Sequence, residues 1–219
     1  MAERASGGAW LAFLEVVAAL TCVVVCALVA AQFYRASEQR AAVEAIVRSG
    51  GAVWYGFEYT GNATETKIPK QPLARAWLSR VVGKDFVEGV AEAEVRNDAG
   101  LRAIGALPQI ERLELWFSNV TDRGVANVAQ LKRLRWLSLE ASKITDDSLR
   151  YVAALPRLER LVLADTAVTD DGLEFLRVST HLKYLNLEGT RVTPEGVRRL
   201  GQALPNCRIE TVPYDAGTR

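Results

Sequence analysis

Two adjacent carboxylate pairs, Asp146-Asp147 and Asp170-Asp171, are the first residues that could do acid–base chemistry. Both pairs fall at the same place in a recurring pattern, directly after a threonine. That placement suits helix N-caps rather than a general acid with its base. His181 is the one histidine and has no nucleophile beside it. Cys207 stands alone in an apolar slot near the C-terminus, where a buried, inert thiol is expected. Cys22 and Cys26 lie inside an apolar block. The residues before them, Ala19-Leu20-Thr21 and Val23-Val24-Val25, do not form a lipobox, so lipidation is not expected. Three cysteines give no disulfide framework, and one histidine without a Cys/His cluster gives no zinc site. A phosphate-binding glycine loop is missing from the sequence. The expectation is therefore a protein with no catalytic residues, no cofactor and no metal.

The chain of 219 residues carries a net charge of +1, too balanced for a broad nucleic-acid surface. Its apolar residues are concentrated. From Ala9 to Ala31 only Glu15 and Thr21 interrupt an apolar run, with Trp10 at one end and Phe33 and Tyr34 at the other. Roughly 20 apolar residues cross a bilayer as helix, and aromatics anchor its ends. Residues 9–33 read as a single transmembrane helix, leaving 1–8 as a tail. Glu15 lies close enough to the end to reach the headgroups. The rival is a cleaved signal peptide ending at Val29-Ala30-Ala31, but the apolar stretch is long for one and its start is barely basic. Arg35, Arg40 and Arg48 weakly favour a cytoplasmic C-terminal side, and orientation stays open. Ala18, Cys22, Cys26 and Ala30 place a small residue at every fourth position, a stripe through which two copies could pair as a homo-oligomer.

Residues 34–100 read as a juxtamembrane helix, a strand and an N-terminal cap. Gln32 to Arg48 is rich in helix formers and can continue the membrane helix until Gly50-Gly51 stops it. Ala52 to Tyr59 has strand propensity, Thr60 to Pro72 reads as loop, and Leu73 to Val82 as helix. Asn62-Ala63-Thr64 matches a glycosylation acceptor.

From 101 to 209 the chain repeats every 24 residues, with units starting at Leu101, Val125, Leu149, Leu173 and Val197. Residues 210–219 form a tail. The pairs Leu113/Leu115, Leu137/Leu139, Leu161/Leu163 and Leu185/Leu187 put two leucines on the buried side of a short strand. Ser118, Ser142, Thr166 and Thr190 offer hydroxyls to backbone groups where the chain turns inward. Val120, Ile144, Val168 and Val192 come next as buried positions. Thr121-Asp122, Thr145-Asp146 and Thr169-Asp170 supply helix caps, and Pro194 suits a first helical turn. Pro156 is expected to end the third-unit helix. The fifth unit gains a residue before Leu204-Pro205 and fades, as a terminal cap does. At the other end of the stack, Trp54, Tyr55 and Trp77 are expected to cover the exposed core.

This period and pattern are those of leucine-rich repeats. The predicted fold is α/β: a short solenoid with one parallel strand and one helix per repeat, preceded by a transmembrane helix. The chain also resembles bacterial membrane-anchored leucine-rich-repeat proteins with TxVTDxGL-type repeats. The linker 35–55, the stretch WLSRVVGKDF (77–86) and the closing ALPNCRI (203–209) carry that resemblance along with the repeats. It departs at 87–100, where VEGVAEAEVRNDAG is shortened and lacks the VTD signature. The resemblance implies fold and anchoring, and no defined activity.

Strand positions beside the leucines point outward in three columns. They are Arg112, Trp136, Arg160, Tyr184; then Glu114, Ser138, Val162, Asn186; then Trp116, Glu140, Ala164, Glu188. Aromatic rings with arginines match the composition of protein-interface anchors. Two functions fit this pattern: a membrane-tethered module that binds a protein through this concave face, or a structural component that assembles with itself.

Overall fold

The computed structural model describes residues 5–55 and 89–211. The strand residues expected over 56–59, the loop and helix expected over 60–82, Asn62 and Trp77 fall outside the described residues. The N-terminal helix α1 (Ala5–Arg48) runs unbroken for 44 residues. It ends at Arg48 and is followed two residues on by Gly50, whose φ of +86° suits glycine after a helix. The membrane-like stretch and the juxtamembrane helix are therefore one element. Strand β1 (Ala52–Tyr55) then pairs antiparallel with β2 (Val90–Glu94).

From β2 onward every pairing is parallel. The order is α2 (Asp98–Ala103), β3 (Arg112–Glu114), α3 (Asp122–Val125), β4 (Trp136–Ser138), α4 (Asp146–Val152), β5 (Arg160–Val162), α5 (Asp170–Leu176), β6 (Tyr184–Asn186), α6 (Pro194–Ala203) and β7 (Arg208–Glu210). Short 3-10 turns follow α2 and α3. The strands form a single seven-stranded sheet in chain order. The register joins Leu113, Leu137, Leu161, Leu185 and Ile209 in one row. All four LxL pairs are buried, as alternation requires. This is a short leucine-rich-repeat solenoid with an N-terminal helix.

The shortened unit at 87–100 still contributes a strand. Ala93 pairs with Leu113, and Ala93 and Val95 are fully buried where later units carry leucines. Asn97 stands in for the capping threonine and accepts from the Gly100 amide at 3.1 Å.

The recurring hydroxyls behave as expected. Ser118, Ser142, Thr166 and Thr190 are buried, and each donates to the carbonyl of the leucine three residues earlier. The third-unit helix ends at Val152, ahead of Pro156, because the chain must straighten to bury Leu155.

The capping aspartates do something else as well. Asp98, Asp122, Asp146 and Asp170 each reach into the next repeat. One carboxylate oxygen accepts the amide of Thr121, Thr145, Thr169 or Thr193, at 2.8–2.9 Å. The other accepts the same threonine's hydroxyl. The result is a ladder of clamps along the helix N-termini. It explains the glycine of the TDxG motif: a Cβ on Gly172 would sit 2.3 Å from the Asp146 carboxylate. In the second unit Ser148 replaces that glycine and instead donates to Asp122. Burial pushes the Asp122 carboxyl up, but hydrogen bonds from Ser148 and Thr145 outweigh it and hold it below its ordinary value. Asp170 is lowered on the same balance, with Thr193 and Arg199 as donors.

The N-terminal end of the core is closed by Ala42 and Ile46 of α1, with Val53 and Tyr55 packed beside them. Trp54, expected there, points the other way and is 37% exposed. It pairs with Glu92 on the open face, because strand alternation gives the covered side to its neighbours Val53 and Tyr55.

Candidate interaction face

The outward positions of the strands line up as rows. Arg112, Trp136, Arg160 and Tyr184 are in register, and Arg208 extends the row. Glu114, Ser138, Val162 and Asn186 form the second row, extended by Glu210. Parallel strands lie about 4.8 Å apart, close enough for planar side chains in a row to stack.

The first row does stack. The Arg112 guanidinium lies 3.6 Å from the centre of the Trp136 ring. Arg160 lies 5.3 Å from the same ring and 5.9 Å from Tyr184. Arg112 is held from both sides by Glu92, at 3.3 Å, and by Glu114, whose Oε1 accepts from its Nε at 2.9 Å. Burial pushes the Glu92 carboxyl up and Arg112 pulls against it, while Glu114 and Glu94 push it further up, leaving it raised. At the far end the Tyr184 hydroxyl donates to Glu210, and that hydrogen bond, with burial, raises the phenol above its ordinary value.

Trp136 is thus half-buried between two arginines, and its indole N–H is buried without a hydrogen-bond partner. It is less available as a contact residue than its outward position implied. Ser138 and Ala164, also read as outward-facing, are each only 6% exposed. Small side chains sink beneath larger neighbours on the inner side of a curved sheet. Val162 and Asn186 are half-buried, and Glu140 is intermediate.

The exposed aromatic surface lies one column over. Trp116 is 37% exposed, donates its indole N–H to Glu114 at 3.1 Å, and has the Arg96 guanidinium 5.4 Å from its ring centre. Phe117 packs edge-on against it, with centroids 5.7 Å apart, and is itself 65% exposed. The two tryptophans take different cation partners: Arg112 stacks on Trp136 and Arg96 on Trp116.

Phe117 was not singled out by sequence reasoning. Its φ is +48°, in the left-handed region, and Ala141 and Asp165 hold the equivalent position at +51° and +54°. The fourth unit has Gly189 there, at +66°. Phe117 is the bulkiest of the four and the one that projects an apolar ring. A comparison of the column Phe117, Ala141, Asp165, Gly189 across repeats was the available signal.

The remaining candidates for chemistry are dispersed. His181 is exposed on the edge where helices return to strands. Asp147 pairs with Arg150, and Asp146 belongs to the clamp ladder. Cys207 packs against the core, and burial pushes its thiol up to about 11. Cys22 and Cys26 are exposed, free thiols on α1. Among the described residues no group of three or more His, Cys, Asp and Glu is placed to hold a metal ion.

A Leucine Rich repeat family model matches residues 178–201, most of the fourth unit and the start of the fifth. No curated protein matches the chain. Among solved structures, a leucine-rich-repeat protein of Leptospira interrogans is similar at 25% identity and a TM-score of 0.40, over 49% of this chain and 27% of that one. Internalin C2 of Listeria monocytogenes is similar at 22% identity and a TM-score of 0.40, over 50% of this chain and 55% of that one. A protein of Bacteroides fragilis shares 22% identity at a TM-score of 0.39, over 53% and 40%. The chain thus spans between 27% and 55% of the length of these proteins.

Proposed function

We propose that this chain is a membrane-tethered, non-catalytic interaction module that binds another protein through the concave face. The observation that carries the reading is the pair Trp116 and Phe117. Two adjacent aromatic rings stand open to solvent, and one of them occupies a backbone conformation that favours glycine. Large side chains in strained positions concentrate at functional sites, and aromatic anchors dominate protein interfaces. The contact surface on this reading centres on Trp116 and Phe117. Arg112, Glu114, Trp136, Arg160 and Tyr184 form its rigid backing, and Glu140, Asn186 and Glu188 its rim.

Tethering is supported by α1, a helix long and apolar enough to cross a membrane, with none of its apolar window buried in the fold. A signal sequence passes the same length and composition test. The experiment is co-purification from native membranes with the tagged full chain. Trp116→Ala and Phe117→Ala should each lose a specific partner, by more than ~2 kcal/mol for a hot-spot residue. Arg150→Ala, on the convex side, should retain it. Partner retention by both aromatic variants, or recovery of the unprocessed full chain in the aqueous fraction, would overturn the corresponding half of the reading.

The second reading is self-assembly through α1. Cys22 and Cys26 of the small-residue stripe are exposed on the helix, where close approach of two copies is open. Cross-linking of the full chain through these two thiols in membranes distinguishes it from a monomeric tether.

A further inference from the structure

The way α1 joins the solenoid determines which edge of the repeats faces the side from which the apolar run departs. α1 and α2 run antiparallel. The Asn97 side-chain amide, at the start of α2, donates to the Ser49 carbonyl at the end of α1, at 3.2 Å. Gly100 lies against Ser49. α1 also packs on the 3-10 turn Ile104–Ala106 that follows α2. Traced backward from Ser49, α1 therefore passes down α2 toward Leu107. A helix rises about 1.5 Å per residue, so a little over ten residues cover that depth. Ile46 and Ala42 are buried along it, whereas Tyr34 and Phe33 are exposed, as are residues 16–31 of the apolar run beyond them. The run leaves the solenoid on the edge where helices hand the chain back to strands.

That edge is basic. The loops 107–111, 131–135, 155–159, 179–183 and 204–207 hold Lys132, Arg133, Arg135, Arg157 and Lys183 against two carboxylates, Glu111 and Glu159, in a chain whose net charge is only +1. Glu159 is shared by Arg135 at 2.7 Å and Lys183 at 2.8 Å. These two interactions hold its carboxyl below the ordinary range. Arg133 and Arg157 are exposed and have no carboxylate partner among the described residues. Together with His181 they line one open groove. The opposite edge, where strands lead into helices, carries Glu140, Asp147, Asp165, Asp171, Glu188, Glu195 and the aspartates of the clamp ladder, against Arg96, Arg123, Lys143 and Arg191. The solenoid is charged oppositely on its two edges, with the positive one at the exit of the apolar run.

We infer that the basic edge lies on the anionic headgroups of the leaflet from which α1 emerges. The inference rests on α1 being a membrane span. Arg133 and Arg157 supply forked donors matched to phosphate and carboxylate oxygens. The acidic edge, repelled by the same surface, orients the domain with its clamp ladder away from the bilayer. The concave face then stands edge-on to the membrane, open to a protein.

The test uses the full chain in vesicles of phosphatidylcholine, alone or mixed with phosphatidylserine. Flotation after an alkaline wash reads insertion. Phenylglyoxal labelling, measured by mass spectrometry, reads the exposure of individual arginine side chains. Arg133 and Arg157 should label more slowly in the anionic vesicles, and high salt should restore their labelling. Arg150 and Arg198 should label alike in both. In Arg133→Gln, docking read at Arg157 should weaken roughly five-fold, since a basic residue near an anionic surface contributes about 1 kcal/mol. Equal labelling in both vesicles by an inserted chain overturns the inference and leaves the anchor standing. A chain that does not float overturns both. Protection by inorganic phosphate or a polynucleotide, without protection by anionic vesicles, assigns the groove to another anion and also overturns the inference.

Discussion

The clamp ladder and the concave face are built from the same repeats, yet one is uniform and the other is not. Along the ladder the same bidentate aspartate-to-threonine bond recurs at four successive interfaces. Across the concave face no row keeps its residue type: arginine, tryptophan, arginine and tyrosine occupy one, and glutamate, serine, valine and asparagine the next. The uniform region satisfies a requirement that every repeat shares, namely pairing an amide and a hydroxyl at a helix N-terminus. The variable region has no such shared requirement, so its residues are free to answer to something outside the fold. Uniformity marks stability here, and variation is what the proposed recognition requires.

The comparison breaks most decisively if the buried row tolerates change. Leu161→Ala removes a fully buried side chain from the middle of the sheet and should cost roughly 2–5 kcal/mol, read as a fall in the thermal midpoint. An unchanged midpoint would mean that this row is not the core.

Next in size is the ladder. Asp146→Ala leaves the Thr169 amide and hydroxyl without their partner and should cost about 1–3 kcal/mol. Gly172→Ala should be destabilising beside Asp146 and much less so in Asp146→Ala, because the added methyl collides with that carboxylate. Additive effects in the double variant would show that the glycine serves another purpose.

A smaller effect is expected from acid. Asp122 and Asp170 have folded-state pKa values below their unfolded ones. Their contribution is therefore fully present above the ordinary carboxylate range and is lost as pH falls through the lowered folded values. Asp122→Asn should flatten the acid limb of a stability–pH curve while leaving the neutral-to-basic limb parallel to wild type.

The smallest effect separates the two regions most cleanly. Phe117→Gly relieves a left-handed conformation and should leave stability unchanged or raise it by up to about 1 kcal/mol, while partner binding falls. Loss of both together would place Phe117 with the packing residues.

Much of the fold is legible in the residues alone. The leucine pairs, the inward hydroxyls and the register of the strand rows follow from period and alternation. What the linear pattern hides is anything that joins one repeat to its neighbour. The aspartate of each TD pair looks like a local cap, and only the stacked arrangement shows its carboxylate crossing to a threonine 23 residues on. The same holds at the N-terminal end. Ile46 belongs to a helix whose preceding stretch is membrane-like, and its burial depends on how α1 folds back along α2. On the candidate face the positions were readable, but their availability was not. Trp136 and Ser138 point outward by register, yet their neighbours cover them, whereas Phe117 lies just past the strand and owes its exposure to a backbone turn.

The junction of α1 with the first repeat has a mechanical meaning. From Ala9 to Arg48 there is neither glycine nor proline, and the helix runs on until Ile46 is locked into the core. At 44 residues it is a rod of about 66 Å with no joint. A flexible leash would let the solenoid tumble independently of the apolar stretch. A continuous helix packed into the core at one end would instead act as a drive shaft, carrying rotation or tilt at the apolar end to the repeats as torque, and a load on the concave face back along the rod.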